Sequence, residues 1–247
     1  MICLILAAGY ATRLYPLTEN MPKPLLKVKD KTILDWLVDD INESGRVDKY
    51  VVISNSKFAQ NFREWTASRP DSEKFVVVDD GTSTNETRLG AVADIKFAID
   101  ALSLDDDMMI IAGDNVLDFS LCRFIEYFDS KKASCIMRYF EPNLEKCKRS
   151  GVITIDDNDV ITSMVEKPEN PKSNWLAPPF YIYTAKDAAS VGDALLSGCG
   201  KDAPGSYAAW LSEKTAVYAM EMPGKRYDIG NIDSYNEVQN TYEGIKF

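Results

Sequence analysis

The stretch Leu6-Ala7-Ala8-Gly9-Tyr10-Ala11-Thr12-Arg13-Leu14-Tyr15-Pro16-Leu17-Thr18, followed by Met21-Pro22-Lys23-Pro24-Leu25, decides how the chain is read. Residues 2–6 form a short apolar run ahead of Gly9, the pattern of a buried parallel strand feeding a loop. Small residues at Ala7, Ala8 and Gly9 let a ligand approach the backbone closely, so that N–H groups face phosphate oxygens. Arg13 and Lys23 supply the countercharges. Prolines 16, 22 and 24 keep the loop out of regular helix, and residues 25–28 read as a brief returning strand. Neither GxGxxG nor GxxxxGK[ST] follows the first strand, so the dinucleotide and Walker readings fall.

Working outward, Thr32 caps a helix carrying Ile33, Leu34, Leu37, Val38 and Ile41 at helical spacing, stopped near Gly45. Strands at 50–54, 75–78 and 108–112 alternate with helices at 58–67, 89–102 and 121–128, and a strand at 133–138 extends the series. This alternation predicts an α/β fold with a doubly wound, mostly parallel sheet. The pattern then changes. Residues 152–155 and 160–165, joined by Asp156-Asp157-Asn158-Asp159, read as a hairpin. Residues 180–184 form another strand, helices follow near 185–196 and 206–213, and strands at 216–221 and 227–229 precede a closing helix from Ser234. Residues 1–247 are expected to form a single domain, 1–130 carrying the phosphate loop and 131–247 a small β subregion.

Composition prunes the functions open to such a fold. The 247-residue chain is 45% hydrophobic and 27% charged, ordinary for a globular protein. A net charge of −10 argues against nucleic acid as a partner. A small phosphate needs only a local basic cluster, and the first 31 residues hold Arg13, Lys23, Lys27, Lys29 and Lys31 against Glu19 and Asp30. Five cysteines without CxxC spacing imply free thiols and a cytoplasmic protein. The apolar start is too short for a membrane span and lacks a basic n-region. There is no histidine, which removes Ser-His-Asp triads, Cys-His dyads and His-ligated metals.

The quoted stretch resembles the signature of the sugar-phosphate nucleotidylyltransferase family, of the glucose-1-phosphate thymidylyltransferase type: LAAGxGTRLxPLT followed by a Pro-Lys pair. Ala11 departs from it, standing where the family usually has Gly. The resemblance implies a Rossmann-like nucleotidyltransferase fold in which Ala7, Ala8 and Gly9 bind nucleotide, Arg13 steadies departing pyrophosphate and Lys23 contacts the nucleotide phosphates. Asp114, just past an apolar strand, reads on its own equally as a turn residue. The family's Gly-Asp pair assigns it to Mg²⁺, with Asp228 of Tyr227-Asp228-Ile229-Gly230 as the second ligand. Arg226 stands where many relatives have Trp.

Glu166-Lys167-Pro168 resembles the family's EKP element, in which the acid binds acceptor hydroxyls and the lysine the acceptor phosphate. An isolated strand-edge Glu-Lys pair is otherwise ordinary solvated surface. Gly151, Asn174 and Tyr181 are further acceptor-site candidates. Segment 80–90 lies where relatives recognise the nucleobase, which makes Asn85, Leu89 and Gly90 nucleotide-binding candidates, although an Asx-rich turn with a helix cap also accounts for Thr84 and Asn85.

The implied reaction is attack by an acceptor phosphate oxygen on the α-phosphorus of a Mg²⁺-bound nucleoside triphosphate. The favoured partners are dTTP or UTP and a sugar 1-phosphate, giving a nucleotide sugar and pyrophosphate. A CTP-dependent cytidylyltransferase for phosphocholine or a similar amino-alcohol phosphate is the alternative, in which Trp175, Phe180, Tyr181 and Tyr183 would form an aromatic cage, though aromatics at strand positions are more often core. A catalytically silent nucleotide-sugar sensor is another. Relatives are commonly dimers or tetramers, which leaves a homo-oligomer open, although the sequence itself does not make the oligomeric state legible.

Overall fold

The computed structural model describes residues 1–246. The chain runs β1 (Ile2–Leu6), β2 (Lys27–Val28), β3 (Lys31–Thr32), α1 (Ile33–Glu43), β4 (Lys49–Ser54), α2 (Ala59–Ala67), β5 (Phe75–Asp79), α3 (Ala91–Leu102), β6 (Met108–Ala112), β7 (Asn115–Leu117) and α4 (Cys122–Lys131). It continues through β8 (Cys135–Phe140), α5 (Leu144–Cys147), β9 (Gly151–Ile155), β10 (Ile161–Glu166), β11 (Trp175–Ala177) and β12 (Phe180–Tyr183). The last elements are α6 (Ala185–Ala189), α7 (Val191–Leu196), α8 (Gly205–Ser212), β13 (Tyr218–Glu221), β14 (Arg226–Asp228) and α9 (Ile232–Thr241). They fall into two compact units. One comprises Met1–Arg88, Ala112–Arg123 and the stretch from Pro223 onward; the other comprises Leu89–Ile111 and Phe124–Met222. Each unit therefore draws on stretches from both sides of residue 130.

In the first unit β1 pairs with β4 and β4 with β5, all parallel, with Ile2 opposite Lys49 and Tyr50 opposite Phe75. Cys3, Leu4, Ile5, Val51, Val52 and Ile53 are fully buried, as strands covered on both faces require. Thr32 closes a capping box with Asp35 at the start of α1, satisfying two otherwise orphaned amides. The five apolar residues read from its spacing are all buried, each contributing about 1.5–3 kcal/mol. β7 and β14 pair antiparallel, placing Asn115 opposite Asp228. Tyr242, just beyond α9, ties this ladder down by donating its hydroxyl to the Leu117 carbonyl at 2.8 Å.

The second unit is built mainly of antiparallel pairs: β10 with β9, β9 with β11, β11 with β8, β8 with β12 and β12 with β6. β13 alone runs parallel to its neighbour, β8. The expected hairpin is β9–β10, with Gly151 opposite Glu166. β11 and α5 escape a sequence reading because three or four residues carry no period.

Several boundaries differ from expectation for local reasons. The run 185–196 is two helices meeting at Ser190. α3 starts at Ala91 rather than Leu89, because Gly90 adopts φ 98°, outside helical space. The closing helix starts at Ile232: Asn231 is its cap and accepts from the Ser234 amide, so Ser234 is the third helical residue rather than the first. No helix of the described residues is long and apolar enough to cross a membrane.

Candidate active site

The loop quoted above leaves β1 at Leu6 and is anchored at its start. The Ala7 amide donates to the Ile53 carbonyl of β4 at 2.9 Å. The Asn55 amide, fully buried after β4, donates to the Ala8 carbonyl at 2.8 Å, and its Oδ1 accepts the Phe58 N–H at 3.1 Å. Gly9 then stands exposed, with open space where a Cβ would project.

Ala11 takes the left-handed conformation, φ 46° and ψ 40°. This explains why glycine is the expected residue there, since a Cβ in that region costs roughly 1–2 kcal/mol. The buried Thr18 hydroxyl holds the Ala11 carbonyl at 2.8 Å, bringing the far end of the loop back onto the turn. Arg13 lies exposed on the short 3-10 turn Thr12–Leu14 and lines a cleft of about 260 Å³ together with Ala7, Gly9, Lys23, Asp114 and Gly230.

Lys23 opens a second 3-10 turn, Lys23–Leu25, between two prolines that preset its backbone. Its side chain is nearly buried. Nζ meets Asp114 Oδ2 at 2.8 Å and Asp228 Oδ1 at 3.9 Å. A desolvated ammonium is tolerated only where opposite charge compensates it, and both carboxylates do so.

Asp114 owes its place to Gly113. A Cβ on Gly113 would lie 3.1 Å from Ile5 Cγ2, 3.1 Å from Leu34 Cδ2 and 3.3 Å from Pro24 Cγ, so the backbone reaches the Lys23 turn because no side chain intervenes. The Gly113 amide donates to the Leu6 carbonyl at 3.1 Å. Arg13, Lys23, Asp114 and Asp228, far apart in sequence, thus belong to one unit with the phosphate loop.

Two carboxylates converging on one cation are a donor set that suits Mg²⁺, which commonly takes one or two protein carboxylates and completes its shell with water and phosphate oxygens. No group of three His, Cys, Asp or Glu residues gathers for a metal among the described residues, so substrate oxygens would have to supply the remainder.

In the second unit Glu166 ends β10 with its carboxyl enclosed by two glycines. A Cβ on Gly151 would come within 2.9 Å of Glu166 Oε1, and one on Gly205 would collide with the same oxygen. Burial pushes the Glu166 carboxyl above its ordinary range, opposed by the positive charge of Lys167. Lys167 is exposed, in the left-handed region at φ 49°, its amide donating to the Ser150 carbonyl at 3.0 Å.

Other candidates land elsewhere. The Asn174 amide donates to the Glu141 carbonyl at 2.7 Å, joining the entry of β11 to the exit of β8. Tyr181 is buried in β12 and stacks on Tyr183. Phe180 and Tyr183 are buried with it, so the aromatic cage is not formed. Trp175 instead packs under the Arg138 guanidinium, 4.7 Å away.

Asn85 lies exposed in a turn where Thr87 Oγ1 donates to the Thr84 carbonyl, and its own carbonyl accepts from Arg88. Leu89 is half-buried. Gly90 admits the backbone of Lys201, whose carbonyl would lie 2.6 Å from a Cβ; the Lys201 and Asp202 carbonyls receive the first amides of α3. Sequence reasoning missed Asn55, Thr18, Asn115 and Gly205. Thr18 carried a signal as the end of the quoted signature, and Asn55 as a polar residue directly after an apolar strand.

A family model described as "Nucleotidyl transferase" matches residues 2–244. The chain is 27% identical to UTP--glucose-1-phosphate uridylyltransferase AglF of Haloferax volcanii, over 97% of this chain and 95% of that protein. It is 27% identical over 93% of its length to the Bifunctional protein GlmU of Methanocaldococcus jannaschii, of which it spans 51%. Among solved structures, a UDP-glucose pyrophosphorylase complexed with UDP-glucose has a TM-score of 0.83 at 23% identity, covering 98% of this chain and 97% of that one. That likeness shows a shared α/β fold.

Proposed function

The chain belongs to the nucleotidyl transferase family, and on that premise we propose that it transfers a nucleoside monophosphate from a triphosphate to a sugar 1-phosphate, forming a nucleotide sugar and pyrophosphate. The observation that carries this reading is Lys23, held between Asp114 and Asp228 on a cleft lined by the phosphate loop and Arg13. We propose UTP or dTTP as donor, on the strength of the sequence resemblance and of the relative named for UTP.

The acceptor phosphate is a monoester with a second pKa of about 6, so its oxygen is already anionic at neutral pH. It needs no general base, which suits a chain without histidine. That oxygen forms a bond to the α-phosphorus while the α–β bridging P–O bond breaks in line, the electron pair leaving with pyrophosphate. The proposed roles are electrostatic. Arg13 neutralises the pyrophosphate charge, Lys23 the nucleotide phosphates and Lys167 the acceptor phosphate, while Glu166 accepts hydrogen bonds from acceptor hydroxyls. Asp114 and Asp228 would hold Mg²⁺, which when bound supplies charge neutralisation at phosphate oxygens. All five cysteines are free, in keeping with the proposed cytoplasmic location.

The test is a pyrophosphate-release matrix of UTP, dTTP, CTP, GTP and ATP against hexose 1-phosphates and phosphocholine, with Mg²⁺. The fastest release is expected for UTP or dTTP with a hexose 1-phosphate. Nucleotide-sugar binding without release from any pair would establish the silent sensor instead.

A further inference from the structure

We propose that Arg226 is a positioning residue for the metal site, acting through Asn115 to orient the carboxylate of Asp114; the inference rests on the Mg²⁺ assignment above. Arg226 and Asp228 are two residues apart on β14 and so share a face of the ladder, with Asn115 directly opposite Asp228. Arg226 Nη1 donates to Asn115 Oδ1 at 2.6 Å, and Asn115 Nδ2 donates to Asp114 Oδ1 at 2.6 Å. Lys23 Nζ takes the other carboxylate oxygen, Oδ2, at 2.8 Å.

The chemistry of the two ends sets the direction of this relay. A guanidinium only donates and a carboxylate only accepts, so the amide between them has one satisfied orientation, oxygen toward Arg226 and nitrogen toward Asp114. Asn115 is 1% exposed, and water does not substitute for either partner. Without Arg226 the buried Asn115 oxygen loses its donor and the amide loses the contact that fixes its rotation. Asp114 Oδ1 is then no longer held, and Lys23 alone is left to fix the rotation of the carboxylate.

A purely electrostatic role for Arg226 gives the opposite sign. Its Nη1 lies 3.7 Å from Asp228 Oδ2, so the guanidinium repels a cation bound by that carboxylate. Removing it would tighten cation binding if charge were its only contribution, and loosens it if orientation dominates.

The experiment titrates Mn²⁺ into the whole chain with UTP and no acceptor, reading free Mn²⁺ by electron paramagnetic resonance and confirming the fold of each variant by thermal melting. Arg226→Met and Asn115→Leu are each expected to weaken Mn²⁺ binding about tenfold, the low end for outer-shell partners of a metal ligand. The double variant should lose no more than either single one, because both break the same relay. Arg226→Lys, which keeps a donor, should stay within about threefold of the native protein and serves if Arg226→Met does not fold. Unchanged or tighter binding in Arg226→Met, or multiplying losses in the double variant, overturns the inference while leaving the metal assignment intact. Native protein that binds no Mn²⁺ beyond that held by UTP overturns both.

Discussion

Lys23 and Glu166 are both ionisable groups taken largely out of water, and the protein accommodates them in opposite ways. Lys23 is balanced by charge, with Asp114 and Asp228 on either side of its ammonium. Glu166 is accommodated by shape, in a slot between Gly151 and Gly205 that exists because neither has a Cβ. Burial raises the Glu166 carboxyl, and Lys167 only partly offsets it. Lys23 meets its countercharges before any ligand arrives. Glu166 is left short of hydrogen-bond donors, which acceptor hydroxyls would supply.

The comparison breaks most visibly at Lys23. Lys23→Ala is expected to lower the rate of pyrophosphate release by about 10²- to 10³-fold, as loss of a single preorganised cationic contact does. The fold should survive, since Asp114 and Asp228 are 39% and 56% exposed and regain water. A rate within threefold of the native enzyme would remove Lys23 from the chemistry.

The shape-based half is tested at Gly205. Gly205→Ala drives a methyl group into Glu166 Oε1 and to within 2.8 Å of Met164 Cε, so a loss of about 1–3 kcal/mol is expected in urea unfolding. The same substitution in a Glu166→Ala background should cost distinctly less, leaving only the Met164 contact. Equal costs in both backgrounds would show that the slot does not constrain the carboxyl.

A smaller effect follows from the raised carboxyl. Because the folded state holds the Glu166 proton more tightly than the unfolded chain, this group's contribution to stability is present below the ordinary value of 4.5 and is lost as pH rises through the folded value. Glu166→Gln removes that dependence. The variant should therefore gain stability relative to the native protein as pH is raised from 4 to 7, read from the difference in melting temperature. A difference that stays flat or runs the other way contradicts a desolvated carboxyl.

The smallest expected effect is at Ala11. Ala11→Gly relieves roughly 1 kcal/mol of left-handed strain but returns about 0.4–1 kcal/mol of freedom to the unfolded chain. The melting temperature should move by only a degree or two. A large loss would mean that the methyl group packs against something the loop needs.

How much of this was legible in the chain depends on the range over which it is written. The first strand, the proline-punctuated loop and the Thr32 cap are encoded within a few residues of where they act. β11 and α5 were not legible because they are too short to show a period. Gly90 faces the backbone of residues 201 and 202, which no local pattern announces. The aromatic strand at Tyr181 suits a ligand wall and a core equally by its sequence, and only the structure shows all four of its residues buried.

The sequence by itself determined the α/β class, the loop that follows the first strand and the residue types available for chemistry, with histidine excluded throughout. Those follow from composition, short-range periodicity and stereochemistry. Tertiary structure alone decided that Lys23 lies between Asp114 and Asp228, that Arg226 reaches Asn115 across 111 residues of chain, and that Gly205 leaves room for Glu166. Partners so distant in sequence leave no mark on each other's local conformation, and only the closure of strands and helices around a common core brings them within a few ångströms.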